Sequence, residues 1–570
     1  MKSLPLILVV FLSFLPLASL CSQEGTVFDP SDYRDVWIHN IDRAGMVELH
    51  EMGVDIQGRK GSDLFTYLSS AEIESLTVMG YKMSVLPRID PNQMRPYHTY
   101  STLTAELQAI ASANPTLCEL YNIGNSTYNR GLWFMKISDN VGVEEDEPEF
   151  KYIATMHGDE VVGMELCMNL INLLVDEYGS DQQITDLVNS VEIWIMPLMN
   201  PDGMEEGSRY NGQGYDLNRE FPDRVVDPVN TTNGRPVEVR HVMDWGFAHS
   251  PVLSGNFHGG ALVVNYPYDS DPNPYAYYSA TPDDALIIEQ SLTYSELNSP
   301  MYNSWYFNNG IVNGVEWYLI YGGMQDWNYV WQGCNDVTLE VSDSKWPSYN
   351  QIPGFWNDNR ASMLAYMELC LEGVRGIVTD SVTGAPVAAT IRAGSIDHDV
   401  YTDPDVGDYH RMLLPGTYAM HFSATGYDSQ TIYGVSVGSG AATRLDVQLV
   451  PEGADDPIPD IKVNGSDGPV TVFSTQSVPI TISLVPNGMA GHKKDWWILA
   501  SKPPSTYYWT FNGWVPFMKR AYNGQLVNVT DYLIANSKIP VGNWTLTFAI
   551  DGLNNYYEGT YKDTCEVTSY

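Results

Sequence analysis

The chain predicts a multidomain protein: an α/β domain with a largely buried sheet, preceded by a small α+β unit and followed by two β-sandwich domains. Three observations carry that expectation. At 570 residues the chain exceeds what one hydrophobic core supports. Between about residues 96 and 372, apolar strand-like runs alternate with helical periods. From residue 373 onward the helical period disappears, and short alternating strands are divided by turns such as "LPGT" and "TGYD".

The opening "MKSLPLILVVFLSFLPLASLCSQEG" has a basic residue at Lys2 and an apolar run to Leu20, so residues 1–21 read as a cleaved signal peptide. No later apolar run is long enough to span a bilayer, which makes the expected product secreted or periplasmic. Lipoprotein anchoring through Cys21 is the lesser reading, because Leu20 is not the small residue that lipidation wants.

Residues 30–90 follow the order strand, helix, strand, strand, helix, strand, that of a ferredoxin-like unit, with "DRAGMVELHEM" and "SAEIESLTVMG" as helices. "PRIDPNQMRPYHTY" then reads as a linker, with a boundary near Asp90. In the domain over 96–372 the strands are "EFKYIATM", "VEIWIMPLM", "VLSGNFH" and "DVTLEVS"; the helices are "YSTLTAELQAIASAN", "VVGMELCMNLINLLVDEYG" and "ASMLAYMELCLEG". A sandwich spans 373–450. After the linker "PEGADDPIPD", residues 458–570 read as all-β, and their stretch "DWWILASKPPSTYYWTFNGW" either packs internally or offers a carbohydrate or surface contact.

A formal net charge of −40 sets the whole surface against nucleic acid and mildly favours basic partners. Beyond the leader stand Cys118, Cys167, Cys334, Cys370 and Cys565, whose irregular spacing matches no zinc finger. Any disulfides would leave at least one of these five thiols over.

Chemistry concentrates at strand ends. His157 and Glu160 stand three apart where "KYIAT" gives way to a helix, and open α/β sheets place their sites at such ends. Two ligands do not make a catalytic zinc site, and a satisfied surface pair explains an isolated HxxE better. His258, ending "VLSGNFHGG", supplies a candidate third ligand. Further motifs follow in order: "NPDG" at 200–203, "DLNREFPD" at 216–223, "GGMQDWNY" at 322–329 and "TLEVSDSKWP" at 338–347.

Together these motifs resemble the zinc metallocarboxypeptidases, specifically the subgroup of carboxypeptidases D, E, M and N. The resemblance runs from the α/β region into the following sandwich, because that subgroup carries a transthyretin-like domain there. It implies a mixed-sheet zinc carboxypeptidase domain over 96–372, with one Zn²⁺ held by His157, Glu160 and His258. Glu340 would act as general base and acid toward a zinc-bound water, and Arg209 would stabilise the developing oxyanion. Asn218 and Arg219 would grip the substrate's terminal carboxylate, while Tyr318 would close over it. Asp269, eleven residues beyond His258, and Gln325 would select a C-terminal Arg or Lys side chain. Asp159 is expected to steady His157 from behind.

The resemblance leaves two readings of residues 30–90: a prodomain that covers the cleft until it is cut away, or a permanent accessory domain. Glu220 departs from the Asn usual after "DLNR", and the connection from "NPDG" to Arg209 is short. Peptide or protein C-termini are therefore the expected partners. An apolar-residue or cell-wall peptidase of the same fold, and a non-catalytic secreted protein that binds peptides or surfaces, stand as alternatives.

Overall fold

The computed structural model describes residues 28–87, 96–403, 405–453 and 456–570. The leader with Cys21 and the linker around Asp90 lie outside the described residues.

In the N-terminal unit, strands Tyr33–Ile38, Ile56–Lys60, Asp63–Ser69 and Met83–Val85 form an antiparallel sheet, and helices Arg43–Glu51 and Ser70–Val78 fill the two crossovers. The first helix starts where Asp42 accepts the Gly45 N–H, the second at a reciprocal Ser69/Glu72 capping box. The spatial order is 56–60, 63–69, 33–38, 83–85, as the ferredoxin-like reading requires. Its apolar residues do not close a core of their own. Val36, Ile38 and Leu64 share one with Val263, Trp317, Tyr318 and Ile320 of the α/β domain.

The α/β domain is built on eight strands in the order 311–313, 261–266, 335–342, 251–258, 149–154, 192–196, 131–137, 118–125. The sheet is mixed. Strands Asn335–Ser342, Pro251–His258, Glu149–Ala154 and Glu192–Met196 run parallel at its centre. Every residue of those four is buried, which is why they read as continuous apolar runs and not as alternating ones. Four strands at or near the edges, Cys118–Asn125, Gly131–Ile137, Ala261–Tyr266 and Ile311–Asn313, carry weaker signals and were not anticipated.

The sandwich over 373–450 pairs two four-stranded sheets, one around Val374–Asp380 and one around Gly416–Ser423. A separate unit, residues 426–428 and 450–570, is all-β, with three-stranded and seven-stranded sheets. Its Trp496, Trp497 and Trp509 are buried in those sheets and pack internally, while Trp514 of the same aromatic stretch is half-buried. The five described cysteines are all free and buried. Among the described residues no helix is long and apolar enough to cross a membrane.

Candidate metal centre and substrate cleft

Three neighbouring strands bring distant segments to one point. The pairing sets Glu340 opposite His258, and Ala154 opposite Phe257, so the segment after Ala154 turns beside both. That turn is tight. Thr155 takes a left-handed backbone (φ 53°), unusual for a β-branched residue and a kind of strain that gathers at functional sites. Gly158 lies against the "NPDG" turn so closely that an added Cβ would sit 2.1 Å from the Gly203 carbonyl carbon. Asn200 joins the two segments, donating to the carbonyls of Met156 at 3.2 Å and Arg209 at 3.3 Å while its oxygen caps Gly203.

The expected ligands converge. His157 Nδ1 lies 3.0 Å from Glu160 Oε2 and 3.0 Å from His258 Nδ1, which is itself 2.9 Å from Glu160 Oε2. Three donors around one zinc at ~2.0–2.1 Å would be roughly 3.3 Å apart, so the triangle is close to the size the ion needs. His157 Nε2 sits 3.0 Å from Asp216 Oδ1; an N–H donated there leaves Nδ1 as a bare lone pair facing the other two donors. The residues therefore fit a zinc ion.

The carboxylate behind His157 is thus Asp216 and not Asp159, which corrects the expectation. Asp159 pairs with Lys345 Nζ at 3.0 Å, and its other oxygen has no partner. It lies between Gly158 and Glu160 but faces a different cation. Burial alone would raise Asp216, yet Arg209, His157 and Arg219 outweigh it and hold its carboxyl well below the usual range. Asp216 stands in the "DLNR" motif without an assigned role; its fixed spacing to Arg219 was the available signal.

Arg209 reaches the centre directly: its Nη1 is 3.0 Å from His157 Nδ1 and 3.2 Å from Glu160 Oε1, and its Nη2 is 2.8 Å from Asp216. Arg219 lies beside it. Asp55 of the N-terminal unit meets both guanidinium groups, Arg209 Nε at 3.1 Å and Arg219 Nη2 at 3.3 Å. Arg219 Nη2 also donates to the Ile56 carbonyl at 2.8 Å. Asn218 is oriented by the Met324 N–H, 2.9 Å from its Oδ1. Glu220 is pushed up to about 7 by burial and by Asp216.

Glu340 is buried, with Oε2 unpartnered. Burial and then the Glu160 charge raise it well above the ordinary carboxylate value, against Arg209 and Lys345. Tyr318 is buried in T-shaped contact with Trp317, and Arg219 and Glu340 are among the charges acting on it. Asp269 is 1% exposed, with Oδ1 accepting from Asn265 at 3.0 Å. Gly314 and Gly323 face that carboxylate, and a Cβ on Gly314 would collide with it. Burial and then Asp326 raise Asp269 well above the usual range. Both amide atoms of Gln325 are buried without a partner. A cleft of about 450 Å³ reaches Glu160 and Glu340, walled on one side by Trp37, Gln57 and Phe65 of the N-terminal unit.

A central mixed sheet with a two-histidine, one-carboxylate centre at its strand ends defines the class of α/β zinc proteins to which metallopeptidases belong. The zinc carboxypeptidase family model matches residues 103–362, and a carboxypeptidase regulatory-like domain matches residues 373–450. Mouse (Mus musculus) carboxypeptidase D is 42% identical over 379 residues, covering 63% of this chain but only 27% of that protein. The catalytic chain of mouse carboxypeptidase N is 37% identical over 393 residues, covering 62% of this chain and 86% of that one. The crystal structure of carboxypeptidase A from Helicoverpa armigera aligns with 59% of this chain and 98% of its own, at 16% identity and a TM-score of 0.48. The chain belongs to the zinc carboxypeptidase family.

Proposed function

We propose that the protein is a secreted zinc-dependent exopeptidase that removes C-terminal residues from peptides, preferring Arg and Lys. The observation that supports it most is the convergence of His157, Glu160 and His258 with Glu340 on the neighbouring strand and two arginines beside them. A zinc ion held by His157, Glu160 and His258 would supply Lewis acidity toward a water and the scissile carbonyl. Glu340, buried on the neighbouring strand with Oε2 unpartnered, takes a proton from the nucleophile and returns it to the leaving amine. Arg209 stands where charge develops, and Arg219 with Asn218 grips the free carboxylate that marks a chain end.

Asp269 supports the basic preference. A buried acid gains from a cationic side chain and disfavours an apolar one, and Gln325 has a buried amide with both polar atoms unpartnered. The test is timed release of the last amino acid from peptides that differ only there. Release from Arg and Lys ends well above Phe ends supports the reading, and equal release across the panel rejects the preference.

The N-terminal unit is read as an inhibitory cover. Asp55 puts a carboxylate on Arg219, assigned to the substrate's terminal carboxylate, and on Arg209, assigned to the oxyanion, so cover and substrate exclude one another. N-terminal sequencing of exported, active protein tests both export and removal: an active form that keeps residues 30–90 makes this unit a permanent accessory domain.

A further inference from the structure

A second concentration of buried acid lies away from the cleft, between the segment 138–148 of the α/β domain and the sandwich strand Asp408–Arg411. Glu144, Glu147, Glu149, Asp403, Asp408 and His410 line a hollow there with about 20 Å³ of free volume, room for a single water or ion. Asp408 and His410 are two apart on their strand, so they share its face toward the hollow. One oxygen each from Asp146 and Asp408 and one ring nitrogen of His410 lie within 4.8 Å of one another.

The existing partners do not satisfy this cluster. The His410 side chain is 5% exposed, and its Nε2 is 2.9 Å from Asp408 Oδ2. Its Nδ1 is buried and has no partner. Asp408 is therefore the only partner of the ring, and Nε2 is the nitrogen that faces the carboxylates, at the 2.9 Å spacing that His258 Nδ1 and Glu160 Oε2 show at the strand-end centre. Arg444 engages only Oδ2 of Asp146, while Asp146 Oδ1 and Glu147 Oε2 are buried and unpartnered. Of the other nearby cations, Lys136 is committed to Glu192 at 2.6 Å and His249 to Glu149 at 2.9 Å, while Arg375 stands opposite His410 in the strand pairing.

We propose that Asp146, Asp408 and His410 form a second metal site, separate from the strand-end centre, which takes a divalent cation of the Zn²⁺ or Mn²⁺ kind and pins the 138–148 segment to the sandwich. One imidazole nitrogen with two carboxylates suits such ions, whereas Ca²⁺ prefers an all-oxygen set.

The experiment uses the full chain carrying His157→Ala and His258→Ala, which disables the strand-end centre, stripped of metal and then dialysed against Zn²⁺ or Mn²⁺. The proposal expects one equivalent per chain, a Tm that rises with metal concentration, and nitrogen hyperfine coupling in the pulsed electron paramagnetic resonance of bound Mn²⁺. His410→Ala added to this background abolishes all three; should that variant fail to fold, Asp146→Asn is expected to weaken binding at least tenfold. No equivalent bound, an equivalent that survives these substitutions, or bound Mn²⁺ without nitrogen coupling overturns it.

Discussion

Both units flanking the α/β domain over 96–372 and packed against it are held to it by buried ions, with opposite consequences. The sandwich is fixed through Asp283, which takes Arg411 Nη2 at 2.8 and 2.9 Å, His398 Nδ1 at 2.6 Å and the Tyr329 hydroxyl at 3.0 Å. None of these groups belongs to the candidate metal centre or lines the cleft beside it. The N-terminal unit instead uses Asp55 on Arg209 and Arg219, and Lys345 bridges it through Asp35 at 3.1 Å and Gln57 at 2.6 Å to Asp159 at 3.0 Å. A joint made from groups with no other task is permanent. The proposed function makes the other joint, which occupies the arginine assigned to the substrate's carboxylate, a competitor.

The comparison can be broken in order of expected size. The proposed activity depends on Glu340, so Glu340→Gln is expected to lower kcat about 10²–10⁴-fold whether or not the N-terminal unit is present. An unchanged kcat removes Glu340 from the chemistry. At the sandwich, Asp283→Ala strands a buried guanidinium and is expected to cost about 3–5 kcal/mol in chemical denaturation. A loss below about 1 kcal/mol would mean that the joint rests on apolar packing.

At the other joint, Asp55→Ala releases both arginines. The intact chain should then gain roughly 10- to 100-fold in kcat/KM, the equivalent of about 1.5–3 kcal/mol of charge-assisted hydrogen bonding. A fall in activity would make Asp55 part of the working site. Asp269→Asn is expected to cut the preference for Arg over Phe by roughly 30-fold, about 2 kcal/mol, read as a ratio of kcat/KM values.

The smallest effect lies where the α/β domain begins. His98 bonds Glu165 and Glu106, each at 3.0 Å, and the Glu165 bond raises it to about 9 despite burial. Its folded value lies above the unfolded one, so its stabilisation is complete below about 6.5 and disappears as pH rises through about 9. His98→Ala should flatten the decline of stability between those limits, and an unchanged slope would contradict this.

What was legible in the sequence was local. The four central strands read directly, because double-sided burial leaves unbroken apolar runs that end at His157, His258 and Glu340. The N-terminal helices were legible from the order of strand and helix segments, and the structure adds the caps at Asp42 and Ser69 that start them. Strand Cys118–Asn125 did not: only Cys118 is fully buried, so no apolar period marks it. Asp55 carries no local signal either, since its partners lie 154 and 164 residues away and only the docking of two units creates the contact. Asp159 was misread for a related reason: adjacency in sequence to two metal ligands does not decide which way a turn aims the side chain between them.

The most direct test of the central claim compares two peptides identical except that one ends in a free carboxylate and the other in an amide, each incubated with zinc-loaded and with chelated protein. Release of the last amino acid only from the free acid, and only with zinc, is the predicted result. Equal release from the amide, or release that persists after the metal is removed, would contradict an arginine-gripped zinc exopeptidase.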